Sequence, residues 1–120
     1  MYTLITTFPQ HSTGNVGDYL ITQSAKDLII KIKGEQDFKV IWRLDDLSDS
    51  LGEINKTKAV LLPGFAIRKS TYPDIYKLVP DLEKIKVPII PIGAGWKQYP
   101  GDFISTKKFY EIFAFCNRYN

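Results

Sequence analysis

Asn15, Gly17 and Asp18 are the residues whose types and spacing best suit the binding of a polar ligand. They follow a short apolar run at 2–8 and open an amphipathic segment that reaches Lys33. Glycine lets the backbone approach a ligand closely, and a helix N-terminus offers free N–H groups and a partial positive charge. The turn is neither a Walker loop nor a dinucleotide fingerprint, because its glycines are spaced differently and no Gly-Lys-Ser/Thr follows. We therefore predict a polar-ligand site at this turn.

Two later turns carry glycines and basic residues after the apolar runs 59–62 and 88–92. Their candidate ligand-contacting residues are Gly64, Arg68, Gly93, Gly95 and Lys97. The carboxyl ends of parallel strands share one edge of a sheet, where α/β folds bind their ligands. We therefore assign these residues, with Asn15, Gly17 and Asp18, to one substrate-binding edge that contains no metal.

Each of these residues also has a purely structural interpretation. An acidic residue such as Asp18 stabilises the first turn of a helix by about 0.3–1 kcal/mol. Asn15 suits a helix cap or a turn with positive φ, and the glycines suit tight strand-to-helix turns. The basic residues are compatible with a solvated surface, and the single histidine, His11, with a solvated loop.

The elements that must position these turns form a strand–helix alternation. The expected strands are 2–8, 38–42, 59–62 and 88–92. The first expected helix ends at Lys33, and the later ones cover 45–55, 73–85 and 105–120. Such alternation predicts an α/β fold with a parallel sheet and helices on both faces. Right-handed crossovers favour a Rossmann-like three-layer sandwich of about four or five strands in the order 3-2-1-4. That order puts strands one and four at the point where the winding reverses.

Composition limits the class of protein. One domain accounts for 120 residues, and a net charge of +3 with scattered lysines does not indicate nucleic-acid binding. With one cysteine, Cys116, and one histidine, the chain can form neither an internal disulfide nor a Cys/His zinc cluster. No signal peptide or run of roughly 20 apolar residues is present, so we predict a cytoplasmic protein without a transmembrane segment.

Three segments together resemble the polysaccharide pyruvyl transferase family. Asn15-Val16-Gly17-Asp18 resembles the family's Asn-x-Gly-Asp element at the first strand–helix turn. Residues 59–65 resemble its strand ending in Gly-Gly, although Pro63-Gly64 replaces the two glycines, and 88–95 resemble its next strand and glycine turn. The order and spacing of the three segments agree with the family and cover most of the chain.

The resemblance implies an enzyme of cell-surface polysaccharide synthesis that transfers a pyruvyl group from phosphoenolpyruvate to a sugar. Family members are longer, with two Rossmann-like domains facing a cleft as in type B glycosyltransferases. This chain would correspond to most of the N-terminal domain and contact a sugar or lipid-linked saccharide acceptor. The donor-binding basic residues of the family belong mainly to the second half, so no catalytic residue is assigned here. No cofactor is implied beyond phosphoenolpyruvate as co-substrate.

Two other functions remain open at this stage. A two-domain fold of this kind also suits glycosyl transfer from a sugar nucleotide. A lone α/β domain without a catalytic half would instead bind a ligand or dock to a partner without turnover. An exposed sheet edge would in addition favour pairing into a homo-oligomer.

Overall fold

The computed structural model describes residues 1–8, 16–64, 66–67, 84–93 and 95–96. Its main sheet contains four parallel strands: β1 (Tyr2–Thr6), β2 (Phe38–Trp42), β3 (Val60–Pro63) and β5 (Ile89–Ile92). Two short strands, β4 (Ala66–Ile67) and β6 (Gly95–Trp96), form a second parallel pair. Because all described strand pairs are parallel and helices separate the strands, the predicted α/β class is confirmed.

The strand order differs from the predicted one. The sheet runs β2-β1-β3-β5, which is 2-1-3-4 in terms of the four predicted strands, and not 3-2-1-4. The winding therefore reverses between β1 and β3, as in the other common doubly wound order. β3 is central and fully buried, whereas β2 lies at an edge of the described sheet with its charged Lys39 half-buried. A lysine inside a strand is typical of an edge, which is the physical reason for the correction.

The sheet has a helix on each face. The long helix α1 (Val16–Lys33) covers one face, where its Ala25 joins a cluster with Leu4 and Leu61. On the other face, a 3-10 turn (Ser48–Ser50) continues into the short helix α2 (Leu51–Ile54), and Ile54 packs in a second cluster with residues such as Ile5 and Leu62. The fold therefore has three layers, helix, sheet and helix, and its hydrophobic core is divided between the two faces of the sheet.

Helix α1 ends at Lys33 as predicted, but the face that it packs against the sheet is not the face on which most of its large apolar residues lie. Ile21, Ala25, Leu28 and Ile32 recur at helical spacing and were expected to share one buried face. Ala25 is buried as expected, but Ile21, Leu28 and Ile32 are 41%, 43% and 61% exposed. Thr22 is the other buried residue of the helix. The small side chains face the sheet because the Thr22 hydroxyl hydrogen-bonds to β1, which brings the helix close to the strand.

Helix α2 is attached to the rest of the fold by polar contacts at both sides. The Lys39 ammonium of β2 forms an ion pair with Glu53, and this neighbour lowers the pKa of the Glu53 carboxyl below its ordinary value. Asn55 donates to the carbonyl of Lys84 at 2.9 Å and accepts from the backbone N–H of Lys86 at 2.7 Å. These bonds fix the chain that enters β5 on the α2 side of the sheet.

Some predicted elements lie outside the described residues. The expected helix at 105–120 does so entirely, and the expected helix at 73–85 does so except for its last two residues. The predicted helix at 45–55 is observed only from 48 to 54, because residues 45–47 form a bend and irregular chain before it. None of the described helices combines the length and apolar character required to cross a bilayer.

Candidate functional site

A chain of hydrogen bonds fixes the first turns of α1 to the carboxyl end of β1. The Phe8 backbone N–H donates to the Thr6 hydroxyl at 3.0 Å, and the Thr6 and Thr22 hydroxyls are 2.7 Å apart. The Thr22 hydroxyl donates in turn to the carbonyl of Asp18 at 3.0 Å, so Thr6 is the donor to Thr22. Asp18, half-buried in the first turn of α1, is thus held at the edge where β1 ends.

Gly64 brings the end of β3 against the same helix. It has a φ of +63°, and a Cβ built on it would lie 3.0 Å from Cγ2 of Ile21. Asp18 precedes Ile21 by three residues and therefore lies on the same side of the helix, one turn nearer its N-terminus. We call Asp18, Ile21 and Gly64 the switch site. Ile21 lies against Gly64 where the winding of the sheet reverses, and Asp18 lies one turn nearer the start of the same helix.

Gly93 continues the edge beside Gly64. Pro63 pairs with Ile92, and Ala66 pairs with Gly95, so the numbers of the paired residues differ by the same amount before and after the two glycines. Gly64 and Gly93 therefore lie side by side at the ends of neighbouring strands. Gly93 has a φ of +67°, close to that of Gly64, and the Gly64 N–H donates to the Ile92 carbonyl at 2.8 Å. Two adjacent parallel strands therefore turn together at matched glycines before they pair again as β4 and β6.

An aromatic pair adds apolar surface close to the first turn of α1. The rings of Phe8 and Tyr19 meet edge to face with their centroids 5.5 Å apart. Tyr19 is 46% exposed, so part of this pair is open to solvent. Aromatic faces of this kind suit the apolar C–H faces of a sugar ring. The sequence alone did not indicate this pair.

The structure brings four of the predicted site residues to one edge, namely Gly17, Asp18, Gly64 and Gly93. Gly95 is exposed in β6, two residues beyond Gly93. The predicted order 3-2-1-4 put strand three, and with it Gly64, beside strand two and away from the reversal point; this order is wrong because β3 pairs directly with β1. Asn15, Arg68 and Lys97 lie outside the described residues.

Sequence reasoning also missed the turn after β2, because that turn contains no glycine. Thr7, Trp42 and Arg43 lie where β1 and β2 end, and each has a buried side-chain polar atom without a hydrogen-bond partner among the described residues. We call these three residues the β1/β2 corner. The sequence feature that could have indicated this turn is Arg43, a cationic residue directly after the predicted strand 38–42. In the described part of the chain, no three His, Cys, Asp or Glu side chains are grouped as metal ligands.

Comparisons with protein-family models, curated proteins and solved structures found no match. The three sequence segments that resemble the pyruvyl transferase family and the geometry of the carboxyl edge are therefore the features that bear on function.

We expect Thr22→Val to lower the free energy of unfolding by about 1–3 kcal/mol, because it leaves the buried Thr6 hydroxyl without its acceptor. Valine keeps the shape of threonine, so packing changes little. Urea unfolding followed by circular dichroism measures the loss. The control is Ser24→Ala on the exposed side of α1, which should change stability by less than about 0.5 kcal/mol. Equal stability of the two variants would show that the Thr6–Thr22 bond does not hold the helix.

Proposed function

We propose that the chain forms the Rossmann-like N-terminal part of a polysaccharide pyruvyl transferase-like enzyme and that its switch site contacts the saccharide acceptor. One observation carries this proposal: where the winding reverses between β1 and β3, Ile21 of α1 lies against Gly64, one turn beyond Asp18. Ligands of open α/β sheets bind in the crevice at this position. A second, type B glycosyltransferase-like domain facing this edge is part of the proposal.

The segments that resemble the family support the same assignment. They belong to the start of α1, to β3 with Gly64 and to β5 with Gly93, and these elements end or begin at one edge of the sheet. Asp18 supplies an acceptor for a sugar hydroxyl, and the glycines leave room for the ligand beside the backbone. The Phe8–Tyr19 pair supplies an apolar surface for the ring.

The reaction itself sets further requirements. Transfer of the pyruvyl group as a ketal needs a proton donor for the enol carbon of phosphoenolpyruvate and cations for its carboxylate and phosphate. The switch site offers no cation for these groups, since its one ionisable side chain is that of Asp18. We therefore propose that this domain binds the acceptor and that the second domain binds phosphoenolpyruvate and supplies the groups that react with it.

The test uses the protein expressed from the native reading frame, with phosphate release from phosphoenolpyruvate measured in the presence of a panel of hexose glycosides. We expect Asp18→Ala to raise the acceptor KM about tenfold, as the loss of one hydrogen bond to a charged group predicts. The phosphoenolpyruvate KM should stay unchanged, because Asp18 does not contact the donor. Asp27→Ala, which removes an exposed carboxylate from the same helix, is the matched control.

Three results would contradict this proposal. Release of nucleoside diphosphate from UDP-glucose, with no acceptor-dependent phosphate release, would favour a glycosyltransferase. Saturable binding of a glycoside without turnover of either donor would favour a binding or docking module. Unchanged acceptor kinetics in a fully expressed Asp18→Ala protein would remove Asp18 from the site.

A further inference from the structure

Two short segments place lysines at the amino ends of neighbouring strands. The segment 56–58 precedes β3 and the segment 84–86 precedes β5, and each has the pattern Lys-x-Lys. The middle residues, Thr57 and Ile85, are buried, whereas the lysines on either side of them are exposed. Both pairs of lysines therefore lie at the surface, although their spacing in the sequence gives no sign that the pairs are close together.

Hydrogen bonds hold the two segments side by side. The Asn55 side chain accepts from the backbone N–H of Lys86 at 2.7 Å and donates to the carbonyl of Lys84 at 2.9 Å. The lysine segment before β5 therefore lies beside the start of the one before β3. The Lys58 N–H donates to the carbonyl of Met1 at 3.0 Å, next to β1. Since β1, β3 and β5 are adjacent and neighbouring strands are about 4.8 Å apart, the four lysines share one end of the sheet. We call them the lysine edge: Lys56, Lys58, Lys84 and Lys86.

The end of α1 adds positive charge beside the lysine edge. The Lys58 ammonium donates to the Gln36 side chain at 2.9 Å, and the Gln36 amide donates to the carbonyl of Lys33 at 3.3 Å. Lys31 and Lys33 lie in the last turn of α1, and both are exposed. The partner of Lys58 is a neutral amide, so this contact orders the lysine without neutralising its charge.

The charge of the chain is unevenly distributed as a result. The segments 31–37, 56–58 and 84–86 contain six lysines and two acidic residues, a net charge of +4. The whole chain has a net charge of only +3, so the remaining residues together are slightly acidic. The neighbouring carboxylate of Glu53 is already paired with Lys39. An anionic partner would therefore be attracted to this end of the sheet in preference to the rest of the surface.

The types of residue at this end indicate which anionic partner it fits. Lysine is a hydrated point charge that suits a diffuse anionic surface, whereas arginine has the fork that recognises single phosphate groups, and none of these six cations is an arginine. Met1, before β1, is 55% exposed, and Pro88, before β5, is also exposed. Apolar side chains beside lysines suit the interface of a bilayer, where they enter the headgroup region. Binding to a nucleic-acid backbone depends on phosphate charge and would leave these apolar side chains without a role.

We infer that the lysine edge binds the surface of an anionic lipid bilayer. Clusters of about four to eight basic residues are typical of surfaces that bind anionic lipids, and each lysine near such a surface strengthens binding about fivefold. The lysine edge lies at the amino ends of the strands, whereas the switch site lies at their carboxyl ends, so docking leaves the switch site free. The inference is therefore independent of the proposed transferase function and would remain if that function were disproved.

The test is co-sedimentation of the full chain with lipid vesicles. One set of vesicles contains phosphatidylcholine alone, and the other contains equal parts of phosphatidylcholine and anionic phosphatidylglycerol. We expect binding to the anionic vesicles at about 0.1 M salt, where the Debye length is about 10 Å, and release at about 1 M, where it is about 3 Å. The neutral vesicles should bind little of the chain at either salt concentration.

Two charge-matched double variants test whether the lysine edge carries the binding. We expect Lys56→Gln with Lys86→Gln to weaken binding about 25-fold, because it removes two of the four lysines. The control combines Val16→Glu with Ser24→Glu at exposed positions in the first half of α1 and lowers the net charge by the same amount. Its binding should stay within about twofold, since these positions lie far from the lysine edge. Both variants should keep the thermal midpoint of the parent, because all four positions are exposed.

Several results would overturn the inference. Absence of binding to the anionic vesicles, or equal binding to the neutral ones, would show that the edge does not recognise anionic lipid. Equal losses in the two double variants would assign the attraction to net charge and not to the lysine edge. Binding of a labelled DNA duplex or of polyglutamate at a lower concentration of negative charge than the vesicles require would identify a nucleic acid or an acidic protein as the partner.

Discussion

Gly64→Ala is expected to lower the free energy of unfolding by about 2–5 kcal/mol. A non-glycine residue in the left-handed region costs about 1–2 kcal/mol, and Gly64 has a φ of +63°. The new Cβ would also lie 3.0 Å from Cγ2 of Ile21. That methyl group belongs to a β-branched side chain on a helix, which has little freedom at χ1, so overpacking adds about 1–3 kcal/mol. Urea unfolding of the variant measures the sum.

Two neighbouring glycines separate the causes of this loss. Gly93 has a similar φ of +67° but no atom within 4 Å of a built Cβ, so Gly93→Ala should cost only about 1–2 kcal/mol. Gly95 has neither feature, and Gly95→Ala should change stability by less than about 0.5 kcal/mol. In the background of Ile21→Ala, the cost of Gly64→Ala should fall towards that of Gly93→Ala.

Equal effects at Gly64 and Gly93 would mean that the helix does not contact the end of β3. The switch site would then lose its defining contact, because Ile21 is the residue that connects α1 to Gly64. The double substitution is a direct check, since only residues in contact show a coupling energy beyond about 0.3–0.5 kcal/mol.

The local elements could be predicted from the sequence because they depend on local pattern. The observed β2 has the predicted bounds, helix α1 ends at the predicted Lys33, and β1, β3 and β5 differ from their predicted bounds by one or two residues. Apolar period and glycine position, which are properties of a short window, determine these features. Pairing between distant strands leaves a weaker sequence signal.

The order of the strands was mispredicted although two residues indicated it. Lys39 within β2 and Pro91 within β5 are both typical of edge strands, and these strands are the two edges of the described sheet. Weighting these two residues above the simplest Rossmann-like order would have put β3 beside β1. The same change would have moved Gly64 to the reversal point.

The candidate site was predictable only in part, for a related reason. Glycines after strands are visible in the sequence, so the positions of Gly64 and Gly93 at the carboxyl ends of their strands could be predicted. The contact of Ile21 with Gly64 depends on the rotation of α1, which the Thr6–Thr22 hydrogen bond sets against the apolar pattern of the helix. The β1/β2 corner depends on which polar atoms lack partners, and residue type alone does not reveal this.

Ile89→Ala and Ile90→Ala are expected to have very different effects although they are adjacent in β5. Ile89 is 1% exposed within the cluster on the α2 side, so its truncation should cost about 2–5 kcal/mol through lost burial and a cavity. Ile90 points to the opposite face and is 39% exposed. Its truncation should cost about 1 kcal/mol or less, mainly through β-propensity.

The pair tests whether the α1 side of β5 is open in solution, because both variants make the same chemical change in one strand. Urea unfolding at two protein concentrations gives the two costs. A loss at Ile90 equal to that at Ile89 would contradict the exposure of this face. If that loss also grew with protein concentration, a second copy of the chain would be the covering surface, and the homo-oligomer expected from an exposed sheet edge would gain its first support. A small, concentration-independent loss leaves the face beside the switch site open, as the proposed cleft between two domains would require.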